Sequence, residues 1–283
     1  MRFPELTPWA ITVLSIEGAL HLAGIALLIL WWKRSRTPDA SSRPEVGALA
    51  LAPSDLLLAA FTVVVGALLL QSAVGGLART LPEVLSPEAW LVAQGCGFQL
   101  GLLSGALLGH RLATLGRRGP AVGPPQVGLP TARAVGAGAL LFVASLPLLL
   151  ASSLAWQGVL RAAGLPTDQQ EMVDLVRNTD SPGLLTLIAL LAVVLAPVAE
   201  ELVFRAGLFR YLRTRVPRGV ALAAPALLFA ALHGNLVAFA PLVVLGVLLA
   251  LAYEQSGRLL VPITAHALFN LHTLALVLSG VDL

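Results

Sequence analysis

Two adjacent glutamates, Glu200 and Glu201, stand directly after an uncharged run that extends from residue 183 to residue 198. An ionised carboxylate inside a membrane is costly, so one in an apolar segment is by default a candidate for a functional site. Arg205 lies one helical turn after Glu201, and this spacing predicts an ion pair. Glu200 then lies on a neighbouring face without a local partner, where it could act as a general base. The alternative is an interfacial cluster that ends a transmembrane helix.

A histidine on the next apolar segment is expected at the same depth as Glu200. The turn between the two segments falls around residues 216–219, and Glu200 and His233 each lie about 17 residues from its middle. At 1.5 Å per residue both are ~25 Å from the turn, so an antiparallel helical hairpin brings them level with each other. Phe229 stands one turn before His233, on the same helical face.

The last apolar segment contributes His266 and Asn270, which are four residues apart and therefore share one helical face. His266 lies about two turns beyond Arg258. This basic residue stands just before the last apolar segment, so His266 is near the cytoplasmic end of that segment. Four polar side chains from three helices are thus predicted to converge: Glu200, His233, His266 and Asn270. Each histidine on its own is more simply explained as a hydrogen-bonded bundle residue, but the combination favours a functional site.

The composition determines the kind of protein that must hold these side chains. The 283 residues are 57% hydrophobic and only 12% charged, whereas soluble domains contain about 25% charged residues. We therefore expect an all-α polytopic membrane helical bundle of about eight transmembrane helices. The apolar runs that predict them lie at residues 9–32, 55–78, 88–109, 134–160, 183–204, 219–238, 240–255 and 260–279.

The charged residues of the loops predict the orientation of the chain. Fourteen of the eighteen basic residues fall in the loops 33–54, 111–133, 205–218 and 256–259. Cytoplasmic loops carry such an excess of Lys and Arg, so both termini are expected outside and the polar cluster toward the cytoplasm. The chain is divided into N-terminal spans without a catalytic motif (1–160), an interfacial loop with a short helix (161–182) and a catalytic transmembrane region (183–283).

Other residues narrow the range of functions. The single Cys96 excludes an internal disulfide framework, and the basic residues lack the interleaved aromatics of a nucleic-acid site.

Glu17 and His21 lie one turn apart and could handle protons or form a structural contact. Four glutamines are expected to form hydrogen bonds between helices: Gln71, Gln94, Gln99 and Gln157. Four glycines at four-residue spacing predict close packing with another helix, in the same chain or across a dimer: Gly97, Gly101, Gly105 and Gly109.

The order of three motifs on apolar helices resembles the CPBP family, which includes CAAX prenyl endopeptidases, bacteriocin-processing proteins and Abi-type intramembrane proteases. The motifs are E-E-x-x-x-R, F-x-x-x-H and H-x-x-x-N, and the resemblance covers roughly residues 183–280. The matching residues are Glu200, Glu201, Arg205, Phe229, His233, His266 and Asn270. The resemblance implies an integral protein of a bacterial inner (cytoplasmic) membrane that cleaves membrane-associated or lipid-anchored peptides.

The resemblance also implies roles for the motif residues. Glu200 and His233 would activate a water for attack on a peptide carbonyl, and His266 and Asn270 would donate to the oxyanion. The resemblance gives supporting roles beside these four catalytic residues to Glu201, Arg205 and Phe229. A zinc ion held by Glu200, His233 and His266 is the alternative, but no H-E-x-x-H is present, so we expect no bound metal.

The alternative function is a non-proteolytic membrane transporter or a scaffold that regulates another membrane protein. The natural substrate and the oligomeric state are left open.

Overall fold

A computed structural model describes residues 7–35, 46, 47, 49, 51–114, 130–165 and 171–281. Helices form the bundle, and the described residues contain no strands, which confirms the all-α class. The helices are α1 (Pro8–Ser35), α2 (Pro53–Thr80), α3 (Pro87–Thr114), α4 (Thr131–Ala162), α5 (Glu171–Asn178), α6 (Pro182–Leu212), α7 (Arg218–Leu232), α8 (Phe239–Ser256) and α9 (Leu260–Ser279).

Seven of these helices are long and apolar enough to cross a membrane, and α7 is the exception among the longer ones. The apolar run 219–238 predicts a full span, but α7 has 15 residues. At 1.5 Å per residue it is ~22 Å long, short of the ~30 Å hydrocarbon core. The helix ends because Gly234 adopts a left-handed conformation with φ of 64°. Asn235 then accepts a hydrogen bond from the backbone N–H of Ala238, just before α8 begins.

The turn between α7 and α8 is held by a tryptophan of α4. The indole Nε1 of Trp156 donates to the carbonyl of Leu236 over 2.7 Å, and its ring packs 6.1 Å from that of Phe239. Non-helical backbone at membrane depth is tolerated only where protein or a water-filled cavity satisfies it. This tryptophan therefore helps to explain how a helix can stop and reverse inside an apolar bundle.

Helix α6 lies at the centre of the bundle, in contact with α3, α7, α8 and α9. It widens to π-helical geometry over Leu191–Leu195 and again over Leu202–Phe209. Pro197 follows the first wide segment, and a proline has no N–H to donate to the preceding turn. The two π segments flank the short α-helical stretch that carries Glu200 and Glu201. Such interruptions are frequent at functional sites because they change the direction in which side chains leave the helix.

The glycine row of α3 packs against α2 of the same chain. A Cβ placed on Gly101 would collide with the backbone of Gly66, and one on Gly105 would collide with the backbone of Thr62. The hydroxyl of Thr62 also donates to the carbonyl of Gly105 over 2.9 Å. Of the two predicted uses for the row, the structure therefore contains the intramolecular one.

Replacing Gly101 by alanine is expected to lower the free energy of unfolding by ~1–3 kcal/mol, because the new methyl must push two backbones apart. Thermal unfolding in detergent measures the effect. Gly76→Ala is the matched control, since a Cβ added to this glycine of α2 would have nothing within 4 Å. Equal melting temperatures for the two variants would contradict the packing argument.

Two connections also pack onto the bundle. Val176 of α5 is buried against Val92, Leu184 and Ile188, so residues 161–182 contain the short helix that the sequence predicts. The predicted start of that helix, at 166–170, lies outside the described residues.

Before α2, the guanidinium of Arg215 donates to the carbonyls of Leu49 and Leu51 over 3.2 and 2.7 Å and stacks over Tyr211. The chain entering α2 is therefore bound to the end of α6.

Candidate active site

The predicted ion pair is present at the centre of the bundle. Nη1 of Arg205 lies 2.7 Å from Oε1 of Glu201, and the two residues are 1% and 0% exposed. The other guanidinium arm donates to the carbonyl of Gly246 on α8 over 3.2 Å. The guanidinium also lies 4.9 Å from the centre of the Phe229 ring. Such a buried charge is tolerated only because the carboxylate, a carbonyl and an aromatic face surround it.

His266 of α9 connects the two glutamates. Its Nδ1 lies 2.9 Å from Oε1 of Glu201, and its Nε2 lies 3.8 Å from Oε2 of Glu200. A carboxylate can only accept, so Nδ1 carries a hydrogen and donates it. The imidazole is 2% exposed, and Oε1 of Glu201 thus receives both a guanidinium and an imidazole donor. This contact fixes the orientation of the ring and directs Nε2 toward Glu200.

Glu200 itself is held by a residue from outside the motifs. Nε2 of Gln99 on α3 donates to Oε1 of Glu200 over 2.8 Å. The other carboxylate oxygen faces His266. The sequence predicts Gln99 as one of four interhelical hydrogen bonders, but no spacing rule connects residue 99 to residue 200. Only the packing of α3 on α6 brings these two side chains together.

His233 lies at the edge of this cluster. It caps the end of α7, and its Nδ1 donates to the carbonyl of Phe229 over 2.7 Å. The Phe229 ring separates the two histidines, with its centre 4.6 Å from the His233 ring and 5.8 Å from the His266 ring. His233 is exposed, and no described residue hydrogen bonds to its Nε2. The structure brings His266, and not His233, into direct contact with Glu200.

Asn270 joins the same helical face to α6. Its Nδ2 donates over 2.7 Å to the carbonyl of Ala192, which lies in the first π segment. An amide nitrogen has two hydrogens, so one remains available for another acceptor. The half-buried side chain therefore docks α9 onto α6 and retains one free donor.

The second polar pair of the sequence belongs to a separate cluster. Oε1 of Glu17 lies 2.8 Å from Nε2 of His272 on α9, a partner that the sequence did not predict. Nδ1 of His21 donates to the backbone carbonyl of Glu17 over 2.8 Å and lies 4.0 Å from its carboxylate. Glu17 is buried, on a helix that packs against α4. This group fastens the first helix to the helix that carries His266.

His233 and His266 each form their hydrogen bond through Nδ1, which leaves Nε2 without a backbone partner. This arrangement is also found in metal-binding histidines. Within the described ranges, however, no group of three His, Cys, Asp or Glu side chains is arranged to hold a metal ion. His266 Nε2 faces a carboxylate oxygen, and His233 stands on the other side of the Phe229 ring. The described donors therefore do not form a zinc site as they stand.

Residues 182–272 match a protein-family model described as type II CAAX prenyl endopeptidase Rce1-like. The matched segment contains every residue of the three motifs and extends from the start of α6 into α9. No curated protein and no solved structure matches the chain. The family assignment from the motifs is thereby confirmed for this segment, and the match supports an intramembrane endopeptidase of the CAAX type.

Proposed function

On the premise that residues 182–272 form a CPBP-type, Rce1-like endopeptidase region, we propose that the protein hydrolyses a peptide bond of a membrane-associated or lipid-anchored substrate. The observation that supports this function best is the buried contact of Glu200 with both Gln99 and His266. A structural ion pair needs one carboxylate for Arg205, and Glu201 already fills that role. Glu200 is therefore a second carboxylate that is free to accept a proton.

The proposed reaction begins with a water beside Glu200. The carboxylate takes one proton from this water while the oxygen attacks the carbonyl carbon, so an O–H bond breaks as the C–O bond forms. The tetrahedral intermediate then collapses, the C–N bond breaks, and the proton passes to the leaving amine. The immediate products are a carboxylic acid and an amine, which become a carboxylate and an ammonium when the acid gives its proton to the amine, and the base returns to its starting state.

His266 is the proposed electrostatic partner of the oxyanion. To donate from Nε2 while its Nδ1–H is held by Glu201, the ring must carry a hydrogen on both nitrogens in this step. The ring then presents Nε2–H beside Glu200, and a substrate carbonyl that the water attacks there would place its oxygen near this donor. The remaining amide hydrogen of Asn270 is a second donor for that oxygen. Donors of this kind commonly reduce the barrier by about 3–4 kcal/mol.

His233 is the proposed group for transferring the proton from Glu200 to the leaving amine. Because Nδ1–H is bound to the carbonyl of Phe229, the neutral ring presents Nε2 as an acceptor. Packing on Phe229 restricts its rotation and places it on the open side of the cluster. A substrate inserted between His233 and Glu200 would contact both, which explains why the two need not touch each other in the free protein.

The substrate is proposed to reach the site from within the membrane. Helix α7 stops short, and the surface next to His233 is apolar and exposed, with Leu232 at 70% and Leu236 at 46%. A peptide held by a lipid anchor or a membrane helix can approach such a surface laterally. The α7–α8 hairpin begins and ends on the same side of the membrane, so it does not change the orientation of the helices that follow. The proposed topology therefore keeps both termini outside and the site toward the cytoplasm of a bacterial inner membrane.

The reaction is proposed to need no metal, because Glu200, His233 and His266 do not converge on one point. Peptide cleavage by the purified protein is therefore expected to change less than about twofold after dialysis against a strong chelator. Elemental analysis of the same sample provides the second measurement. Loss of activity on chelation, restored by zinc together with a stoichiometric bound ion, would overturn this part of the proposal.

The experiment that tests the function is cleavage in proteoliposomes. Purified protein is incubated with membrane-anchored peptides, and products are identified by mass spectrometry, with Glu200→Gln as the inactive comparison. A non-proteolytic transporter is the second candidate, because the buried Glu17 forms another ionisable cluster with the partly buried His21 and His272. A proton flux that persists in Glu200→Gln, with no cleaved peptide in either sample, would favour that candidate.

A further inference from the structure

Gln99 occupies an unusual position for a residue outside the motifs. It projects from α3, and its Nε2 donates to Oε1 of Glu200 over 2.8 Å. The direction of the amide follows from the chemistry, since an ionised carboxylate accepts and does not donate. Gly95 lies one turn earlier on α3, and a Cβ there would come within 3.0 Å of Leu191 on α6. The absence of a side chain at that point allows α3 to approach the helix that carries Glu200.

The other end of the amide has no partner. Oε1 of Gln99 is buried, and no hydrogen bond reaches it from any described residue. A buried acceptor without a donor is costly, and native proteins usually satisfy such an atom with protein or an ordered water. A water can donate two hydrogens, and Gln99 and Glu200 present two acceptors that are held together by their own hydrogen bond.

We infer that Gln99 is a further catalytic residue that positions the attacking water. Its Oε1 accepts one hydrogen of this water, while the carboxylate of Glu200 takes the other as the oxygen attacks. The Nε2–H donor keeps the Glu200 carboxylate oriented toward the same water. This role rests on the proposed peptidase function and adds to it a residue that lies outside residues 182–272. The N-terminal spans then supply part of the catalytic site.

The balance of the step is that of peptide hydrolysis. One O–H bond of the water breaks toward Glu200, the other O–H bond remains hydrogen bonded to Gln99, and a C–O bond forms at the carbonyl carbon. The amide of Gln99 gains and loses no proton. Its contribution is to fix the lone pair of the water along the direction of attack, which is a positioning effect on the reacting atom.

Gln99→Met tests this role, because methionine has a similar length and neither a donor nor an acceptor of comparable strength. We expect kcat to fall ~10- to 100-fold, while KM and the melting temperature change little. Gln94→Met is the matched control, since Gln94 is also half-buried on α3 and donates weakly to the carbonyl of Trp90 over 3.4 Å. The control is expected to retain the unaltered kcat.

The assay uses the full protein in proteoliposomes with one membrane-anchored peptide, and Gln99→Leu replaces Gln99→Met if the latter does not fold. A kcat equal to that of Gln94→Met would overturn the inference, and so would a loss confined to KM or melting temperature. Glu200→Gln is measured alongside. If Glu200→Gln cleaves as fast as the unaltered protein, the proposed mechanism fails; if it is inactive while Gln99→Met is fully active, only the role of Gln99 fails.

Discussion

Replacing Glu200 by glutamine is expected to lower the kcat of peptide cleavage ~100- to 10,000-fold, because the side chain keeps its shape and loses its ability to take a proton. The fold should persist, since Gln99, His266 and the surrounding helices offer hydrogen-bonding partners to an amide as well as to a carboxylate. Cleavage of a membrane-anchored peptide in proteoliposomes measures the rate, and thermal unfolding in detergent measures the stability.

Glu254→Gln provides the matched control for this substitution. Glu254 also lies on an apolar helix, but its carboxylate pairs with Arg213 and Arg218, away from the buried cluster. Loss of an exposed or partly exposed ion pair is worth ~1 kcal/mol or less, and the cleavage rate should stay within about twofold. Full activity of Glu200→Gln would contradict the proposed base, whereas equal losses in both variants would indicate a general effect of removing a charge.

The second large effect is expected at Arg205. Arg205→Met should lower the free energy of unfolding by ~3–5 kcal/mol, because it leaves the carboxylate of Glu201 buried without its cation. It also removes the donor to Gly246, which joins α6 to α8. The protein is expected to lose both thermal stability and activity, and unfolding in detergent together with the cleavage assay measures the two quantities.

A double variant separates the charge from the architecture. Arg205→Met combined with Glu201→Leu removes both members of the pair, and apolar replacement of a buried ion pair is often neutral or stabilising. Stability should therefore return toward that of the unaltered protein. Activity should not return, because Nδ1 of His266 has lost the carboxylate that orients the ring. A double variant that is as unstable as Arg205→Met, or fully active, would contradict this account.

The sequence by itself determined the features that depend on local spacing. Four residues separate Glu201 from Arg205, and a helix places that pair on one face in any tertiary context. The length of the apolar runs was enough to predict seven of the membrane-spanning helices, because the hydrocarbon thickness sets the number of residues required. The order of the three motifs was enough to predict the family of residues 182–272. The first two inferences use neighbours along one chain segment, and the third uses the order of segments along the chain.

Only the tertiary structure decided how the helices rotate and pack against one another. The contact of Gln99 with Glu200, and that of Glu17 with His272, join residues more than one hundred positions apart, for which helical periodicity gives no rule. Equal distances from the turn predict that His233 is level with Glu200, but level side chains can point in different directions, and the Phe229 ring fills part of the space beside His233. Rotation about a helix axis changes no hydrogen bond within that helix, so it depends on contacts between helices, such as the close approach at Gly95.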